Sequence, residues 1–276
     1  MGFRQTSGST LCYACGKINR VDAARCFYCG RSHPGLWGFG PAAGRFVRGI
    51  DVSRGVMAVC IAAFVASLLL DLPAAIRPRG VFDLLSPSAG ALDALGMTGS
   101  YAWARGRWWT MVTAIYLHGG LLHILFNLLW IRQLAPAVEA LYGQSRVLVI
   151  FTAGGVVGFL FSDLFGAPFS IGASGAIFGL LGALVRYGRS RGGTFGVSIV
   201  RQYGTWALLL FAFGFLMPGI DNFAHAGGFA GGFAAALALD DRDRRPLTAL
   251  DTAAALGVVA LTALCFAQAL WTGFAP

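Results

Sequence analysis

The sequence predicts an all-α polytopic membrane protein, with seven spanning helices behind a small cysteine-rich N-terminal module. Three observations carry that prediction. Of the 276 residues, 57% are hydrophobic and 12% charged, against roughly 45–50% and 25% in an average soluble domain. Cutting the chain at its charges leaves seven long uncharged windows, 55–70, 108–131, 147–162, 164–185, 202–220, 222–239 and 252–276. The net charge of +9 is unevenly distributed along the chain. A spanning helix needs about 20 mostly apolar residues with about 17 tolerated, and the short windows 55–70 and 147–162 pass that lower bound only by borrowing the flanking Arg54 and Asp71, and Arg146 and Asp163. These are continuous apolar runs, which excludes the alternating ten-residue segments of a membrane barrel.

The elements follow in order. Residues 1–32 form a polar module with two cysteine knuckles, Cys12-Tyr-Ala-Cys15-Gly16 and Cys26-Phe-Tyr-Cys29-Gly30. Paired CxxC motifs bring four thiolates to one tetrahedral point, and a glycine after each pair lets the backbone turn toward the sulfurs. The pattern reads as a minimal zinc ribbon with Cys12, Cys15, Cys26 and Cys29 as ligands of a structural zinc. Residues 33–54 are rich in Gly and Pro and read as a linker near the membrane surface; His33 is not needed as a ligand. The connection 72–107 carries Pro73, Pro78 and Pro87, apolar pieces at Val81–Leu85 and Ala91–Met97, and Trp103, with Trp108 and Trp109 just beyond. Tryptophan suits the membrane interface, so this connection is expected to pack against the outer leaflet. Cys60 and Cys265 lie inside apolar windows and read as small buried hydrophobes.

Counted on alternate sides of seven spans, four of the 21 Lys and Arg residues (Arg77, Arg79, Arg105 and Arg107) fall on one side and the rest on the other. Basic residues are retained in the cytosol. The N-terminus is therefore expected inside and the C-terminus outside, in the plasma membrane of a bacterium. The basic excess is thus a topology signal, and nucleic acid is not an expected partner. The first strongly apolar run begins at residue 55, so no cleavable signal peptide is expected.

Polar residues inside a membrane are costly and mark function. His123 and Asn127 are four apart and share a helix face, with His118 five residues before His123 and the Gly119-Gly120 pair placing it at or before the helix start. Two side-chain donors aimed at one cavity are what a developing oxyanion requires; interhelical hydrogen bonding is the plainer account of any one of them. Gly172-Ala-Ser174-Gly175 places a hydroxyl at the start of a helix, beside backbone N–H groups and the positive end of the helix dipole. Gly228 and Gly232 continue the face of His225, and Gly175, Gly179 and Gly182 continue that of Ser174. If these stripes pack together, a close helix pair brings an imidazole to a hydroxyl.

The combination His118-x4-His123-x3-Asn127, Gly172-x-Ser174-Gly175 and Ala224-His225-x2-Gly228-x3-Gly232 resembles the rhomboid family of intramembrane serine proteases, over about residues 55–240. The resemblance implies a six-helix core over 55–240, with 241–276 an added seventh helix. It implies Ser174 as nucleophile, His225 as general base, and His123, Asn127 and the Ser174 N–H as an oxyanion hole. His118, Gly172 and Phe178 would support the site, no cofactor would be needed for catalysis, and the substrates would be transmembrane proteins cleaved near the outer face. Two positions depart from the family pattern. Trp109-Thr110 stands where Trp-Arg is usual, with Arg107 two residues before the tryptophan, and Phe178 stands where a Tyr often stacks on the histidine. Asp221 lies one turn before His225, but Asp221 or Asn222 at this helix start reads as an N-cap rather than a third triad member. A non-catalytic relative that binds membrane clients, and a transporter with histidines on a proton path, remain as other classes. The ribbon could bind a cytosolic partner.

Overall fold

The computed structural model describes residues 4–12, 17–39, 51–77, 80, 83–217, 219–239 and 249–274. Cys15, most of the linker, Val81 and the basic cluster Arg242, Arg244 and Arg245 lie outside the described residues. At the N-terminus β1 (Ser9–Leu11) and β2 (Ile18–Arg20) pair antiparallel, in the register Ser9↔Arg20 and Leu11↔Ile18. Thr10 and Asn19 face inward between them.

The rest is helical: α1 (Val52–Leu70), α2 (Leu72–Ala75), α3 (Ala89–Ala94), α4 (Ser100–Ala104), α5 (Thr110–Thr113), α6 (Leu121–Tyr142), α7 (Gln144–Leu164), α8 (Ser174–Arg191), α9 (Gly193–Leu216), α10 (Asn222–Ala238) and α11 (Ala249–Phe274). Side chains fix several starts. Asp51 caps α1 through the Arg54 N–H (3.1 Å), Ser88 caps α3 through Ala91 (3.2 Å), and Asp221 caps α10 through Ala224 (3.0 Å), each satisfying an orphan donor of the first turn. Among the described residues five helices, α1, α6, α7, α9 and α11, are long and apolar enough to cross a membrane. Large apolar side chains such as Leu129, Leu208, Phe215 and Trp271 stand exposed on them, as lipid-facing surfaces do.

All seven uncharged windows contain a helix, but the helices do not follow the window edges. Window 108–131 is not one helix. Its first part folds as α5 and a 3-10 turn at Ala114–Tyr116, and α6 begins only after Gly119-Gly120 and continues past Arg132 and Glu139. Likewise α9 starts nine residues before its window and includes Arg201. An isolated charge does not break a helix, because its side chain can reach out to polar surroundings; paired glycines weaken one far more. Gly143, at φ +85°, alone separates α6 from α7; this left-handed region is open to glycine at no steric cost.

α8 sits at the centre, packed by α6, α7, α9 and α10, and every residue from Gly175 to Val185 is buried. The described residues of connection 72–107 include α2, α3 and α4. α11 lies against α3, α5 and α7, with Cys265 and Ala269 buried; Cys60 in α1 is buried too. Near its start Asp251 takes both arms of Arg146, at 3.0 and 2.9 Å. Both side chains are about a tenth exposed or less. Removing one partner of such a pair strands a buried charge at a cost of about 3–5 kcal/mol. Arg146→Met is therefore expected to lower the thermal unfolding temperature markedly in detergent, and an unchanged melt would refute a role for this clamp in holding α11.

Candidate active site

The segment before α8 is held from both sides. Ser170 and Thr98 form an antiparallel bridge (Ser170 N to Thr98 O, 2.8 Å), and the Gly172 N–H donates to Ala114 O at 2.9 Å. Gly172 adopts φ +119°, and a Cβ there would lie 2.7 Å from His123 Nε2. Only glycine therefore lets the chain turn into α8 beneath the His123 ring. Ser174 is the first residue of α8, so its hydroxyl stands at the N-terminal end of the most enclosed helix.

The expected glycine stripes do meet. A Cβ on Gly228 would collide with the Gly175 carbonyl, one on Gly232 with the Gly179 backbone, and one on Gly182 with the Phe229 carbonyl. α7 contributes a third row that the sequence reading did not single out. A Cβ on Gly154 would sit 2.8 Å from Gly179 Cα, and one on Gly158 would sit 2.6 Å from Ala224 O. With backbones this close, His225 on α10 reaches Ser174, Nε2 to Oγ 2.9 Å. Phe178, one turn on from Ser174, stacks on the imidazole at 4.3 Å and 15°, so a phenyl ring suffices for stacking. His225 Nδ1 lies 3.2 Å from Asn222 Oδ1. That amide oxygen can only accept, which puts the proton on Nδ1 and leaves the Nε2 lone pair for the serine hydroxyl.

Asn222 was weighed in the sequence only as an alternative cap to Asp221. Its i, i+3 relation to His225 was the available signal. Asp221 does cap, and its carboxylate also accepts from Ser170 Oγ at 2.7 Å and from Ser162 Oγ; its bond to His225 is a backbone one, the His225 N–H donating to Asp221 O at 3.2 Å.

On α6, the Gly119 N–H donates to His123 Nδ1 at 3.3 Å. This fixes the other tautomer, with the proton on Nε2, the atom that overlies Gly172. Asn127 is buried and donates one amide N–H to His123 O at 2.8 Å, which leaves its second N–H available. His118 is fully buried and meets His123 edge to face at 5.1 Å, with its Nδ1 3.2 Å from Tyr116 O. Arg107 pairs with Asp93 (2.6 Å) and the Asp93 carbonyl (2.8 Å), while Thr110 Oγ1 donates to Arg107 O (2.7 Å) and lies 3.0 Å from Thr98 Oγ1. Arg107 and Thr110 together tie the connection before α6 to the strand-like bridge beside Ser170.

Away from this centre, the Sγ atoms of Cys12, Cys26 and Cys29 lie within 4.8 Å of one another, with Cys12 and Cys29 at 3.8 Å. Thiolates about 2.3 Å from a tetrahedral zinc are about 3.8 Å apart, whereas a disulfide needs about 2.05 Å. The Asn19 amide donates to Cys26 Sγ at 3.3 Å, and its oxygen accepts the Phe27 N–H at 3.0 Å, the kind of outer contact that steadies a metal-bound thiolate. The described ligands fit a metal; Cys15 lies outside the described residues.

A family model described as the Rhomboid domain matches residues 105–242. The chain is similar to the rhomboid protease GluP of Bacillus subtilis, 40% identical over 168 residues, 58% of this chain and 32% of that protein. It is also similar to RHOMBOID-like protein 1 of Arabidopsis thaliana, 33% identical over 183 residues, 64% of this chain and 44% of that protein. YdcA of Bacillus subtilis is 34% identical over 150 residues, 51% of this chain and 73% of that protein. The chain spans about a third to a half of the length of the first two.

Proposed function

The chain belongs to the rhomboid family, and on that premise we propose that it is an intramembrane serine protease in which Ser174 and His225 act as a catalytic dyad. The observation that carries this reading is the 2.9 Å contact between His225 Nε2 and Ser174 Oγ, with the tautomer set by Asn222.

In the proposed reaction, Nε2 takes the Ser174 proton as Oγ attacks the scissile carbonyl carbon. The carbonyl oxygen becomes an oxyanion held by the His123 Nε2–H, the second Asn127 N–H and the Ser174 backbone N–H. His225 returns its proton to the leaving amine as the peptide C–N bond breaks, giving an acyl-enzyme. A water then loses a proton to His225 and attacks the acyl carbon, and as the bond to Oγ breaks His225 returns that proton to Ser174. Asn222 Oδ1 and the Phe178 face orient the imidazole throughout; His118 braces His123. The substrate is a transmembrane protein whose helix must open near the site, because a backbone closed in its own hydrogen bonds cannot be attacked. α6 and α9 meet through the ring pairs Phe126–Phe213 and Trp130–Trp206, and side chains can swing aside more easily than packed backbones, so this is the proposed lateral approach. The far end of α8 carries Arg186, Arg189 and Arg191. Basic residues stay in the cytosol, so the dyad end is assigned to the outer half of the membrane and the N-terminus to the inside.

A serine-directed fluorophosphonate is expected to label the purified protein at Ser174, and the absence of any label would overturn the reading. Asn127→Ala is expected to lower kcat by about 10²–10³ while leaving measurable cleavage. A wild-type rate in that variant would remove Asn127 from the oxyanion hole.

We also propose that Cys12, Cys15, Cys26 and Cys29 hold a structural zinc, which would supply folding free energy to a segment too small for a core of its own. Elemental analysis should find one zinc per chain, lost in Cys26→Ser, with cleavage by the membrane core retained. Full metal content in that variant would refute the site.

A further inference from the structure

The cysteine end of the N-terminal hairpin gathers exposed apolar side chains and uncommitted basic ones. Phe27 and Tyr28, between the second pair of cysteines, are 90% and 62% exposed, and they contact each other edge to face at 5.4 Å. Leu11 and Ile18, facing each other where β1 and β2 approach the first knuckle, are 46% and 66% exposed. Four large apolar side chains thus stand open around one tip of a very small module. Lys17, beside Ile18, and Arg25 and Arg31, which flank the second knuckle, are exposed as well. The opposite end, with Ser7, Ser9 and Asp22, also exposes Trp37 and Phe39 (61% and 49%), but its cations are engaged within the module, Arg4 donating to Trp37 O at 3.0 Å and lying over the Phe39 ring, and Arg20 pairing with Asp22 at 2.7 Å.

Two more features say what covers this tip. Residues 40–51 join the module to α1, a membrane-crossing helix, and so short a stretch extends to at most about 45 Å. The tip can therefore never leave the neighbourhood of the bilayer, which faces it at high effective concentration. That stretch also contains Arg45 and Arg48, with Arg54 following, so the sequence between the module and the membrane helix is itself basic. Aromatic and aliphatic tips ringed by Lys and Arg match the headgroup region of an anionic leaflet, where rings enter the interface and cations meet phosphates. A protein partner would account for the apolar tip but not for its tethering beside a membrane-crossing helix by a basic stretch.

We propose that the cysteine tip docks on the anionic leaflet from which α1 emerges, with Phe27, Tyr28, Leu11 and Ile18 inserted among the headgroups and Lys17, Arg25 and Arg31 paired with lipid phosphates. This docking is independent of the protease reading and would hold in a chain that cleaves nothing. It does use the tip as the cysteines shape it.

The test uses the full chain reconstituted in vesicles of phosphatidylcholine, with or without phosphatidylglycerol. A photocrosslinking p-benzoylphenylalanine is placed at Tyr28 and, as control, at Ser7. Position 28 is expected to crosslink to lipid in the anionic vesicles and position 7 only weakly. Each of Lys17→Gln, Arg25→Gln and Arg31→Gln should lower the ratio of docked to undocked tip about fivefold, the equivalent of about 1 kcal/mol per basic residue at such a surface. Zinc content measured on the same samples separates a lost metal site from lost docking, and position 27 serves in place of 28 if the label there expels the metal. Equal lipid labelling at positions 7 and 28, labelling indifferent to phosphatidylglycerol, or a crosslink from position 28 to protein instead of lipid would each overturn the proposal.

Discussion

Ser174→Ala is expected to reduce cleavage of a transmembrane substrate in proteoliposomes to background, a loss on the order of 10⁶ in kcat for a nucleophile that works as a unit with its base. His225→Ala should cost about as much, and the double variant no more. That non-additivity is the signature of one proton passing between Ser174 Oγ and His225 Nε2, 2.9 Å apart. Graded losses at the oxyanion side should be smaller, because His123, Asn127 and the Ser174 N–H share one charge and the remaining donors survive each single substitution. The pattern also separates the reaction classes. A client-binding relative would tolerate both dyad substitutions in a binding assay and give no fluorophosphonate adduct. A transporter would depend on His118 and Asn127 and tolerate Ser174→Ala. Cleavage by Ser174→Ala at the wild-type rate would sink the protease reading outright.

Much of this centre was legible because membrane burial makes polar residues rare. His118, His123, Asn127, Ser174 and His225 stand out from apolar windows, and the glycine spacing after Ser174 and His225 said that their helices could touch. What the spacing could not give was the third row, Gly154 and Gly158 on α7, since two glycines without a polar neighbour look like ordinary membrane-helix composition. Asn222 was obscured for a different reason. One residue after Asp221, it competed with it for the cap, and a cap and a histidine partner are both short polar side chains at a helix start. The structure gives each its own task, Asp221 on the Ala224 N–H and Asn222 on His225 Nδ1. Window edges misplaced the helix bounds because charges mark where a chain meets polar surroundings, whereas glycine pairs and caps mark where a helix starts. Thr110 could not be interpreted from sequence, since its partners Thr98 and Arg107 come from folding the preceding connection.

Gly228→Val should cut activity by about 10²-fold or more, although it touches no reacting atom. On helix propensity alone, replacing a helical glycine stabilises by up to about 1 kcal/mol. Sterics decide the opposite way here. A Cβ at 228 would run into the carbonyl, carbonyl carbon and Cα of Gly175, and backbone cannot rotate away as a side chain would. α7 leaves no slack at the same junction, because a Cβ on Gly154 would already lie 2.8 Å from Gly179 Cα and 3.4 Å from Gly228 O. The remaining response is for α10 to move outward and carry His225 with it. Misplacement by about 1 Å costs about 10²-fold in rate, and valine adds two methyl groups to the displacement. Both cleavage and the rate of fluorophosphonate labelling should therefore fall at least that far, with a lowered unfolding temperature in the same detergent. Gly257→Val on α11, where an added Cβ meets nothing within 4 Å, is the matched control and should leave all three readouts near wild type. If Gly228→Val labels at the wild-type rate, the close approach of α8 and α10 is not what holds the dyad together.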